Sequence, residues 1–456
     1  MKLTLQEIAR ACGGEILGSP ETVVEGVCTD SRVYEKGQLF LALRGEKYDA
    51  HDFVLSIDPK PTAVLAERAF PGIECVVVKD TLIAFGILSA YWKSKVGVAI
   101  TVGVTGSVGK TTTKELIAGV LKEKYKTHFT SGNFNNQIGV PITLIRIEEG
   151  TEALVCEMGM SARGEIEYLS GIAKPNIAVI TNIGTSHMEI LGSREAICEA
   201  KLEILSGMEK GSVIFLDGDE PLFRTERAKE LLDGYRAVFV GFDPGCDVYP
   251  MDIYKGATSI SFDVVSGENE FRVTVPAIGD HFIKNALFAA AVGEWCGVEN
   301  EKIRDGILSY APTGLRQRIY KKNGVLVIAD CYNASPESMS AALKVLKSVE
   351  TEGRRVAVLG DMLELGDLSE KAHREVGALC SEAGVDRLFT YGKAAYHIML
   401  GALEHDLEKD AVSNSIDSTQ VARELGAYLK EGDAVLFKAS RRMKLEEIIA
   451  LCGLTE

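Results

Sequence analysis

A glycine-rich run at residues 105–113 is the part of the chain best equipped for chemistry. It reads Thr-Gly-Ser-Val-Gly-Lys-Thr-Thr-Thr and follows an apolar, β-branched segment, Val96 to Val104, that predicts a buried strand. A helix is predicted directly after it, from Lys114 to Leu121. A turn in this position directs backbone N–H groups and the positive end of a helix toward phosphate. Lys110 is then placed to reach the β and γ phosphates of a nucleotide, and Thr111 to ligate Mg²⁺.

This run departs from the commonest phosphate loop at one position. The common pattern has a glycine six residues before the lysine, where Val104 stands here; the nearest glycines are Gly103 and Gly106. The alternative is a glycine-rich turn that carries a lysine by chance. The flanking strand and helix favour a variant phosphate loop. Its predicted contacts with the nucleotide, besides Lys110 and Thr111, are Gly106, Ser107, Gly109 and Thr112.

Polar residues follow two further predicted strands. Glu157 comes directly after the strand at 153–156, where a carboxylate beside a phosphate loop is placed to hold Mg²⁺ directly or through water. Asn182 and His187 follow the strand at 177–180 and are candidates to face the nucleotide. The alternatives are a surface glutamate at the start of a loop and a structural histidine.

Four other residues give weaker signals. Lys201 lies in a predicted helix, and its pattern alone favours a solvated lysine. Asn285 opens an alanine-rich helical run, either facing a ligand or serving as a cap-region residue. Asp330 and Asn333 follow a predicted strand and precede Pro336, which is typical of a ligand-facing turn or of simple helix capping.

These residues are carried by three predicted units, at 1–82, 83–313 and 314–456. The first is a small α+β domain. The second alternates strands with helices, which predicts a mostly parallel sheet with ligands at the carboxyl ends of its strands. The third is a doubly wound, Rossmann-like α/β domain without a G-x-G-x-x-G fingerprint, so a dinucleotide is not implied. The fold class is therefore α/β.

The boundaries of the predicted elements follow from apolar periodicity and turn residues. The predicted strands are 23–27, 38–43, 63–66, 75–78, 100–104, 153–156, 177–180, 213–216, 325–329, 355–359, 387–391 and 434–437. The predicted helices, besides 114–121, are 5–12, 82–95, 193–205, 338–348 and 419–429.

Composition excludes several classes of protein. The 456 residues carry a net charge of −15 and no dense cluster of Lys and Arg, which disfavours nucleic acid as a partner. Ten scattered cysteines without a C-x-x-C pair indicate free thiols in a reducing compartment. We see no signal peptide and no apolar run of about 18 residues. A cytoplasmic protein without stable membrane insertion is expected.

Together these motifs resemble the Mur ligase family, the ATP-dependent amide-bond-forming enzymes of bacterial cell-wall synthesis. The resemblance extends over nearly the whole chain. Its family-level signals are residues 103–113, the Thr-Asn-Ile-Gly run at 181–184 with His187, and Lys201. More specific signals, listed in chain order, are 29–32 with 39–45, 132–141, 157–160, 330–336 and 360–366.

The resemblance implies a UDP-sugar-binding domain, an ATPase domain and a mobile C-terminal domain, in that order. It implies a monomeric ligase that uses ATP and Mg²⁺ to join D-alanyl-D-alanine to UDP-MurNAc-tripeptide through an acyl phosphate. The third residue of the peptide, lysine or diaminopimelate, is not determined by the sequence. The alternatives are another amino-acid-adding Mur ligase or a folylpolyglutamate synthase, a regulatory P-loop ATPase, and a catalytically inactive binding module. The Asp-Cys-Tyr-Asn-Ala run at 330–334 argues against the first of these.

The resemblance also assigns roles to residues by matching position. Lys110 grips the phosphates, Thr111 and Glu157 hold one Mg²⁺, and His187 helps to hold a second. Lys201 matches the lysine that this family carbamylates, which replaces the solvated interpretation. The remaining nucleotide residues are Asn182, Asn285 at the adenine, Arg316 with Arg318 as a competitor, and Asp330. The remaining substrate residues are Ser31, Arg32, Asn135, Asn136, Asn333 and Ser440.

Three positions depart from the family pattern. Phe282 replaces the Asn that often follows His281, which bears on the adenine contacts. Ala439 replaces the glycine of the late Lys-Gly-Ser segment, and Ser335 replaces the Asn that usually precedes Pro336. None of these changes removes a catalytic group, so activity is expected.

Overall fold

The computed structural model describes residues 1–45, 47–312 and 314–456; the predicted domain boundary at 313 lies outside them. The first part of the chain is a small α+β unit, as predicted. A five-stranded sheet in the order β2-β7-β6-β5-β4 and a separate β1-β3 ribbon form its frame. The elements are β1 Lys2–Thr4, α1 Leu5–Cys12, β2 Glu15–Leu17, β3 Val23–Glu25, β4 Val27–Cys28, β5 Leu39–Leu41, β6 Ala63–Ala66, β7 Glu74–Val77 and α2 Thr81–Val96.

Local sequence explains where these elements begin and end. Thr4 and Glu7 form a reciprocal capping box at the start of α1, and Gly13 ends the helix in the left-handed conformation at φ 65°. The strand predicted at 23–27 is instead two strands, because Gly26 turns the chain at φ 83°.

The middle part is built on one nine-stranded sheet in the order β16-β15-β14-β13-β12-β11-β8-β10-β9. Along the sheet from its β9 edge to β14, including β8, neighbouring strands are parallel, as predicted. Strands β15 and β16 continue the sheet beyond β14 as an antiparallel extension that the sequence analysis missed. The strands are β8 Ile100–Thr105, β9 Thr127–Phe129, β10 Ala153–Glu157, β11 Ile177–Ile180, β12 Val213–Asp217, β13 Arg236–Val240, β14 Val248–Lys255, β15 Ile260–Ser266 and β16 Asn269–Val275. The helices are α3 Lys110–Lys122, α4 Gly139–Ile145, α5 Glu165–Ala173, α6 Met188–Leu191, α7 Arg194–Leu202, α8 Glu226–Leu232, α9 His281–Trp295 and α10 Asn300–Leu308.

Two predicted boundaries at the phosphate loop were wrong. Val96, predicted beside the glycine-rich run to open the strand, belongs to the end of α2, since Gly97 stops that helix at φ 77°. The strand begins at Ile100, as in the predicted bounds 100–104. Helix α3 begins at Lys110, four residues earlier than predicted, with Gly109 as its N-cap. The lysine and threonines of the loop are therefore the first turn of the helix.

The third part is a doubly wound sheet in the order β17-β18-β22-β19-β20-β21, parallel except for the β17-β18 pair. It confirms the Rossmann-like outline. The elements are β17 Arg318–Lys322, β18 Val325–Asp330, α11 Pro336–Ser348, β19 Arg355–Gly360, α12 Ser369–Glu382, β20 Arg387–Tyr391, α13 Tyr396–Glu404, β21 Val412–Ser415, α14 Ser418–Tyr428, β22 Ala434–Lys438 and α15 Leu445–Leu451.

The apolar cores show how these units are joined. One buried cluster runs without interruption from Leu5 of α1 through Phe85 of α2 to Leu144 of α4 and Ile166 of α5. Helix α2 therefore fastens the first unit to one face of the middle sheet. The third unit has its own clusters on the two faces of its sheet. Within the described residues, no helix is long and apolar enough to cross a membrane.

Candidate active site

A cleft of about 770 Å³ lies between the middle and third units. Its walls are the turns that follow β8, β10 and β11 on one side and β18 on the other, so the carboxyl ends of two parallel sheets face one cavity, the usual location of a ligand in α/β folds. Predicted site residues that line it are Ser107, Gly109, Lys110, Thr112, Asn135, Asn136, Glu157, Asn182, His187, Asn285, Arg316, Asp330 and Asn333.

The loop between β8 and α3 is shaped by two glycines. Gly106 has φ 147°, and a Cβ atom there would stand 1.9 Å from the Thr181 hydroxyl. Gly109 has φ 80°, and a Cβ there would stand 2.9 Å from Asn285 Oδ1. No side chain caps the N-terminus of α3, so its first N–H groups are free to bind an anion.

Asn182 holds this loop in place. Its Oδ1 accepts hydrogen bonds from the backbone N–H groups of Ser107, at 3.1 Å, and Val108, at 3.0 Å. Its Nδ2 donates to the Val108 carbonyl at 3.2 Å. The residue lines the cleft, as predicted, and its main contacts are with the loop.

Lys110 lies folded over the same loop. Its Nζ donates to the carbonyls of Gly106, at 2.7 Å, and Ser107, at 3.1 Å. Burial lowers the pKa of Lys110 to about 8, with Arg316 acting in the same direction and Glu157 opposing it. A phosphate anion in the cleft would act as the counter-ion of the Lys110 ammonium, whose hydrogen bonds within the described residues go only to backbone carbonyls.

Glu157 is the last residue of β10 and is fully buried, which excludes the alternative of a surface glutamate. Its Oε2 accepts a hydrogen bond from the Thr111 hydroxyl and its Oε1 one from Asn135 Nδ2, both at 2.8 Å. A carboxylate and a hydroxyl in contact are hard oxygen ligands of the kind Mg²⁺ prefers. Among the described residues, no three His, Cys, Asp or Glu side chains cluster as a metal site. Phosphate and water oxygens would have to complete the coordination.

His187 directly precedes the short helix α6, and Lys201 lies in the next helix, α7. His187 adopts the left-handed conformation at φ 64°, and its Nδ1 lies 2.8 Å from Glu364 Oε2 in the third unit. Burial is the main cause that lowers the pKa of His187, and the charges of Lys110 and Lys201 add to it. Three basic side chains thus share one region, which favours an anionic ligand there.

Lys201 is 1% exposed, so the solvated-lysine interpretation was wrong. Burial lowers its pKa well below the usual range, and the nearby Lys110 lowers it further. No hydrogen bond or ion pair to its ammonium is found within residues 1–45, 47–312 and 314–456. Burial without a counter-ion favours the neutral amine of a lysine over its ammonium form.

Asn285 lies in the second turn of α9, so it is not a cap residue. Its Oδ1 accepts a hydrogen bond from Thr113 at 3.1 Å, and its Nδ2 is buried without a partner. The side chain therefore faces the phosphate loop from the opposite helix and has one donor to spare.

The third unit contributes an ordered acidic residue. Asp330 and Lys438 are register partners at the ends of β18 and β22, and Lys438 Nζ donates to Asp330 Oδ2 at 2.6 Å. The same ammonium donates to the Asn333 carbonyl at 3.0 Å. Arg316 stacks on Tyr332 at 3.8 Å from the ring centre. Asp330 and Asn333 thus line the cleft, and Ser335 caps α11 with a capping box, so this turn both borders a cavity and begins a helix.

Some predicted residues lie outside the large cleft. Ser31 and Arg32 belong to an exposed turn of the first unit, where Arg32 makes two hydrogen bonds to Asp30 at 2.9 and 2.7 Å. Asn136 reaches the cleft, but its Oδ1 also accepts from the N–H groups that begin α4. Ser440 is buried and accepts a hydrogen bond from the Leu363 N–H at 3.0 Å.

Several cleft residues were missed by sequence reasoning. Lys284 pairs with Asp217 at 2.6 Å and Asp219 at 2.8 Å beside the exposed ring of Phe242. Glu337 accepts hydrogen bonds from the Thr185 N–H at 2.8 Å and hydroxyl at 2.9 Å, across the unit boundary. Asp217 ends a buried strand, a signal that could have identified it; Glu337 looks like an ordinary first-turn glutamate.

Known proteins of one family match most of the chain. Residues 104–293 match the Mur ligase middle domain, and residues 316–441 match the domain described as Mur ligase, glutamate ligase domain. The chain is 43% identical over 460 residues to UDP-N-acetylmuramoyl-tripeptide–D-alanyl-D-alanine ligase of Bacillus subtilis (strain 168), covering 98% of each chain.

Solved structures show the same likeness over the full length. A crystal structure of MurF from Acinetobacter baumannii superposes with a TM-score of 0.91 at 31% identity and covers 99% of each chain. MurF ligase from Thermotoga maritima in complex with ADP superposes with a TM-score of 0.82 at 29% identity, covering 94% of this chain and 97% of that one.

Proposed function

The chain belongs to the Mur ligase family, and from this we propose that it joins D-alanyl-D-alanine to UDP-N-acetylmuramoyl-tripeptide with consumption of ATP. The reaction is a step in peptidoglycan precursor synthesis. One observation carries the proposal: the phosphate loop of the middle unit and the Asp330–Lys438 pair of the third unit line one cleft. A ligase must bring nucleotide, carboxylate and amine together in such a place.

The chemistry follows from the poor electrophilicity of a carboxylate at neutral pH. Transfer of the γ-phosphoryl group of ATP to a carboxylate oxygen gives an acyl phosphate and ADP. The amine nitrogen then attacks the acyl carbon and loses a proton, and the C–O bond breaks to release phosphate with its electron pair. Catalysis of both steps depends on positioning and on neutralising phosphoryl charge.

The chain's own residues would divide this work. Lys110 and the loop N–H groups, held by Asn182, bind the phosphates. Asn285 with its free Nδ2 contacts the nucleotide, while Arg316 and Asp330 meet it from the third unit. Support comes from the lining of the cleft and from the Arg316–Tyr332 stack.

Mg²⁺ fits this set of donors. Thr111 and Glu157 would hold one ion and His187 would help to hold a second. Bound Mg²⁺ would neutralise the phosphoryl oxygens during transfer. The buried Thr111–Glu157 contact supports this assignment, because a carboxylate with no exposed surface requires cationic or hydrogen-bonding partners.

Lys201 would act as a carbamate. A neutral amine adds CO₂ and releases a proton, and the product carries a negative charge that can contribute to Mg²⁺ binding. Burial of Lys201, its lowered pKa and the neighbouring Lys110 and His187 all favour an anion at this position. Carbamylation would replace the repulsion between the Lys201 and Lys110 ammonium groups by an attraction between the carbamate and Lys110.

The three units would share the substrates. Residues 1–82 would bind the UDP sugar through Ser31 and Arg32. Residues 83–313 would bind ATP, and residues 314–456 would bind the amine substrate. Asn135, Asn136, Asn333 and Ser440 are the proposed substrate contacts between them. A cytoplasmic location agrees with the ten free cysteines. The monomeric state rests on the family resemblance alone.

Competition between amines tests the proposal. The protein is incubated with Mg²⁺-ATP, UDP-MurNAc-tripeptide and an equimolar mixture of D-alanyl-D-alanine, D-alanine, lysine, diaminopimelate and D-glutamate. We expect mass spectrometry to show only the UDP-MurNAc-pentapeptide. Incorporation of a single amino acid instead would assign the chain to another amino-acid-adding ligase.

A further inference from the structure

A second, smaller cavity lies beside the large cleft at the boundary of the middle and third units. Its volume is about 130 Å³, and it is lined by His187, Asn333, Glu364, Ser440, Arg441 and Arg442 among others. His187 and Asn333 also line the large cleft, so the two cavities adjoin there. The space holds roughly ten water-sized groups. This suits a small dipeptide and is too small for a nucleotide.

The end of this cavity next to the cleft is acidic. Glu364 Oε2 lies 2.8 Å from His187 Nδ1, and the Glu364 side chain is 48% exposed, so the carboxylate can still meet a ligand. Its backbone is in the left-handed conformation at φ 68°, and Gly366 follows at φ 54° against Glu189. The turn therefore holds the carboxylate against the middle unit.

A basic patch forms another part of the wall. Arg441 and Arg442 follow Ser440, whose hydroxyl accepts a hydrogen bond from Leu363 and so ties this segment to the turn that carries Glu364. Arg441 pairs with Glu446. Arg442, in contrast, is exposed and has no ion pair or hydrogen bond within the described part of the chain. Its guanidinium is free to bind a carboxylate.

We propose that this cavity binds a zwitterionic dipeptide, with its ammonium at Glu364 and its carboxylate at Arg442. The proposal rests on the proposed function and adds the orientation of the amine substrate. The acidic end adjoins the large cleft through His187, so the nitrogen would face the acyl carbon formed there. The basic wall would select for a free C-terminal carboxylate. Arg442 and Glu364 are thus specificity-determining residues for the amine substrate.

The test compares D-alanyl-D-alanine with D-alanyl-D-alaninamide, which lacks the negative charge at nearly the same size. We expect the wild-type protein to prefer the carboxylate by roughly tenfold or more in kcat/KM, as for a hydrogen bond to a charged group. Arg442→Ala should raise KM for D-alanyl-D-alanine by a similar factor and abolish the preference, with KM for ATP unchanged. Arg442→Lys should keep part of the preference, and Arg423→Ala, an exposed arginine of the same unit, should keep all of it.

Glu364→Gln tests the other end with nearly identical shape. We expect a rise in KM for D-alanyl-D-alanine without a change in KM for ATP. An equal rise in both would show that Glu364 serves only to close the two units, and would overturn its assignment.

The two proposals fail in different ways. If the wild-type protein forms no amide with D-alanyl-D-alanine, the proposed function falls and the cavity assignment falls with it. If the wild-type protein forms the pentapeptide but Arg442→Ala keeps the full preference for the carboxylate, only the cavity assignment is wrong.

Discussion

Lys201 and Lys93 are both buried lysines with lowered pKa values, but their surroundings differ. Lys93 donates to the carbonyls of Ala173, at 2.6 Å, and Lys174, at 3.3 Å, and so caps the end of α5. Lys201 has no such acceptor in the described residues and stands near Lys110 and His187. The contacts of Lys93 explain its burial, whereas Lys201 has no comparable partner in the described residues, which supports the proposed carbamate.

Removal of the Lys201 side chain should therefore damage catalysis specifically. We expect Lys201→Ala to lose roughly 100-fold or more of the ligase activity, because a charge that positions the phosphoryl group is lost. A small carboxylate such as formate or acetate should restore part of it by entering the space of the carbamate. Lys93→Ala is the matched control: it should lose thermal stability and gain nothing from added carboxylate. Full activity of unrescued Lys201→Ala would exclude the carbamate.

His281 predicts a pH dependence of stability. Burial lowers its pKa to about 4, below the ordinary value of 6.5. The unfolded chain then binds a proton more readily than the folded one between these values, so the free energy of unfolding decreases as the pH falls from about 6.5 to about 4. We expect a contribution of about 1–2 kcal/mol between pH 7 and pH 5. Urea unfolding of wild type and His281→Asn at both pH values measures it; an equal loss in both would reject this origin.

The phosphate loop is the element that we propose binds the nucleotide. Gly106→Ala would place a methyl group 1.9 Å from the Thr181 hydroxyl, at a φ of 147° that side chains avoid. We expect the loop to be displaced and ATP affinity to fall by at least tenfold, measured by calorimetry with a non-hydrolysable ATP analogue. Gly171→Ala, in helix α5 with no atom within 4 Å of the new Cβ, is the control and should bind ATP normally.

Local elements were largely predictable from the sequence. Apolar β-branched runs predicted β8, β10, β11 and β12 to within one residue at each end, because such runs are buried whatever their neighbours. The one exception is the prediction that began β8 at Val96 instead of Ile100. The antiparallel β14–β16 extension was missed, although β15 alternates buried and half-buried residues. The start of helix α3 was predicted four residues too late. The residues from Lys110 to Thr113 belong both to the glycine-rich run and to the first turn of the helix.

Contacts over long sequence separations could not be predicted in the same way. Asp330 and Lys438 are 108 residues apart, and only the order of strands in the sheet makes them neighbours. The pairing of His187 with Glu364 depends further on how two units dock. Such contacts depend on packing over long sequence separations, which periodicity and turn residues do not encode.

Docking of the third unit on the middle unit rests on few polar contacts. Glu337 accepts two hydrogen bonds from Thr185, Gln317 donates to the Ile278 carbonyl, and Glu364 Oε2 lies 2.8 Å from His187 Nδ1. Such sparse contacts agree with the expectation from the family resemblance that the third unit is mobile, opening to admit substrates and closing for reaction. The residues of both cavities come from both units, so opening would take the site apart.

Weakening this contact should shift the molecule toward an open form. We expect Glu337→Ala to increase the radius of gyration in solution scattering with ATP analogue and UDP-MurNAc-tripeptide bound, and to lower kcat/KM roughly tenfold. Thr185→Ala should have a smaller effect, and the double variant should be no worse than Glu337→Ala alone, since both act on one contact. Fully additive losses would indicate two independent roles.

The whole molecule is proposed to activate a carboxylate by phosphorylation, and an oxygen label follows that step directly. UDP-MurNAc-tripeptide labelled with ¹⁸O in its terminal carboxylate is incubated with Mg²⁺-ATP and D-alanyl-D-alanine, and the released phosphate is analysed by mass. We expect one labelled oxygen in the phosphate for every pentapeptide formed, with little phosphate when either substrate is omitted. Unlabelled phosphate, or phosphate released at the same rate without the substrates, would contradict ligation through an acyl phosphate.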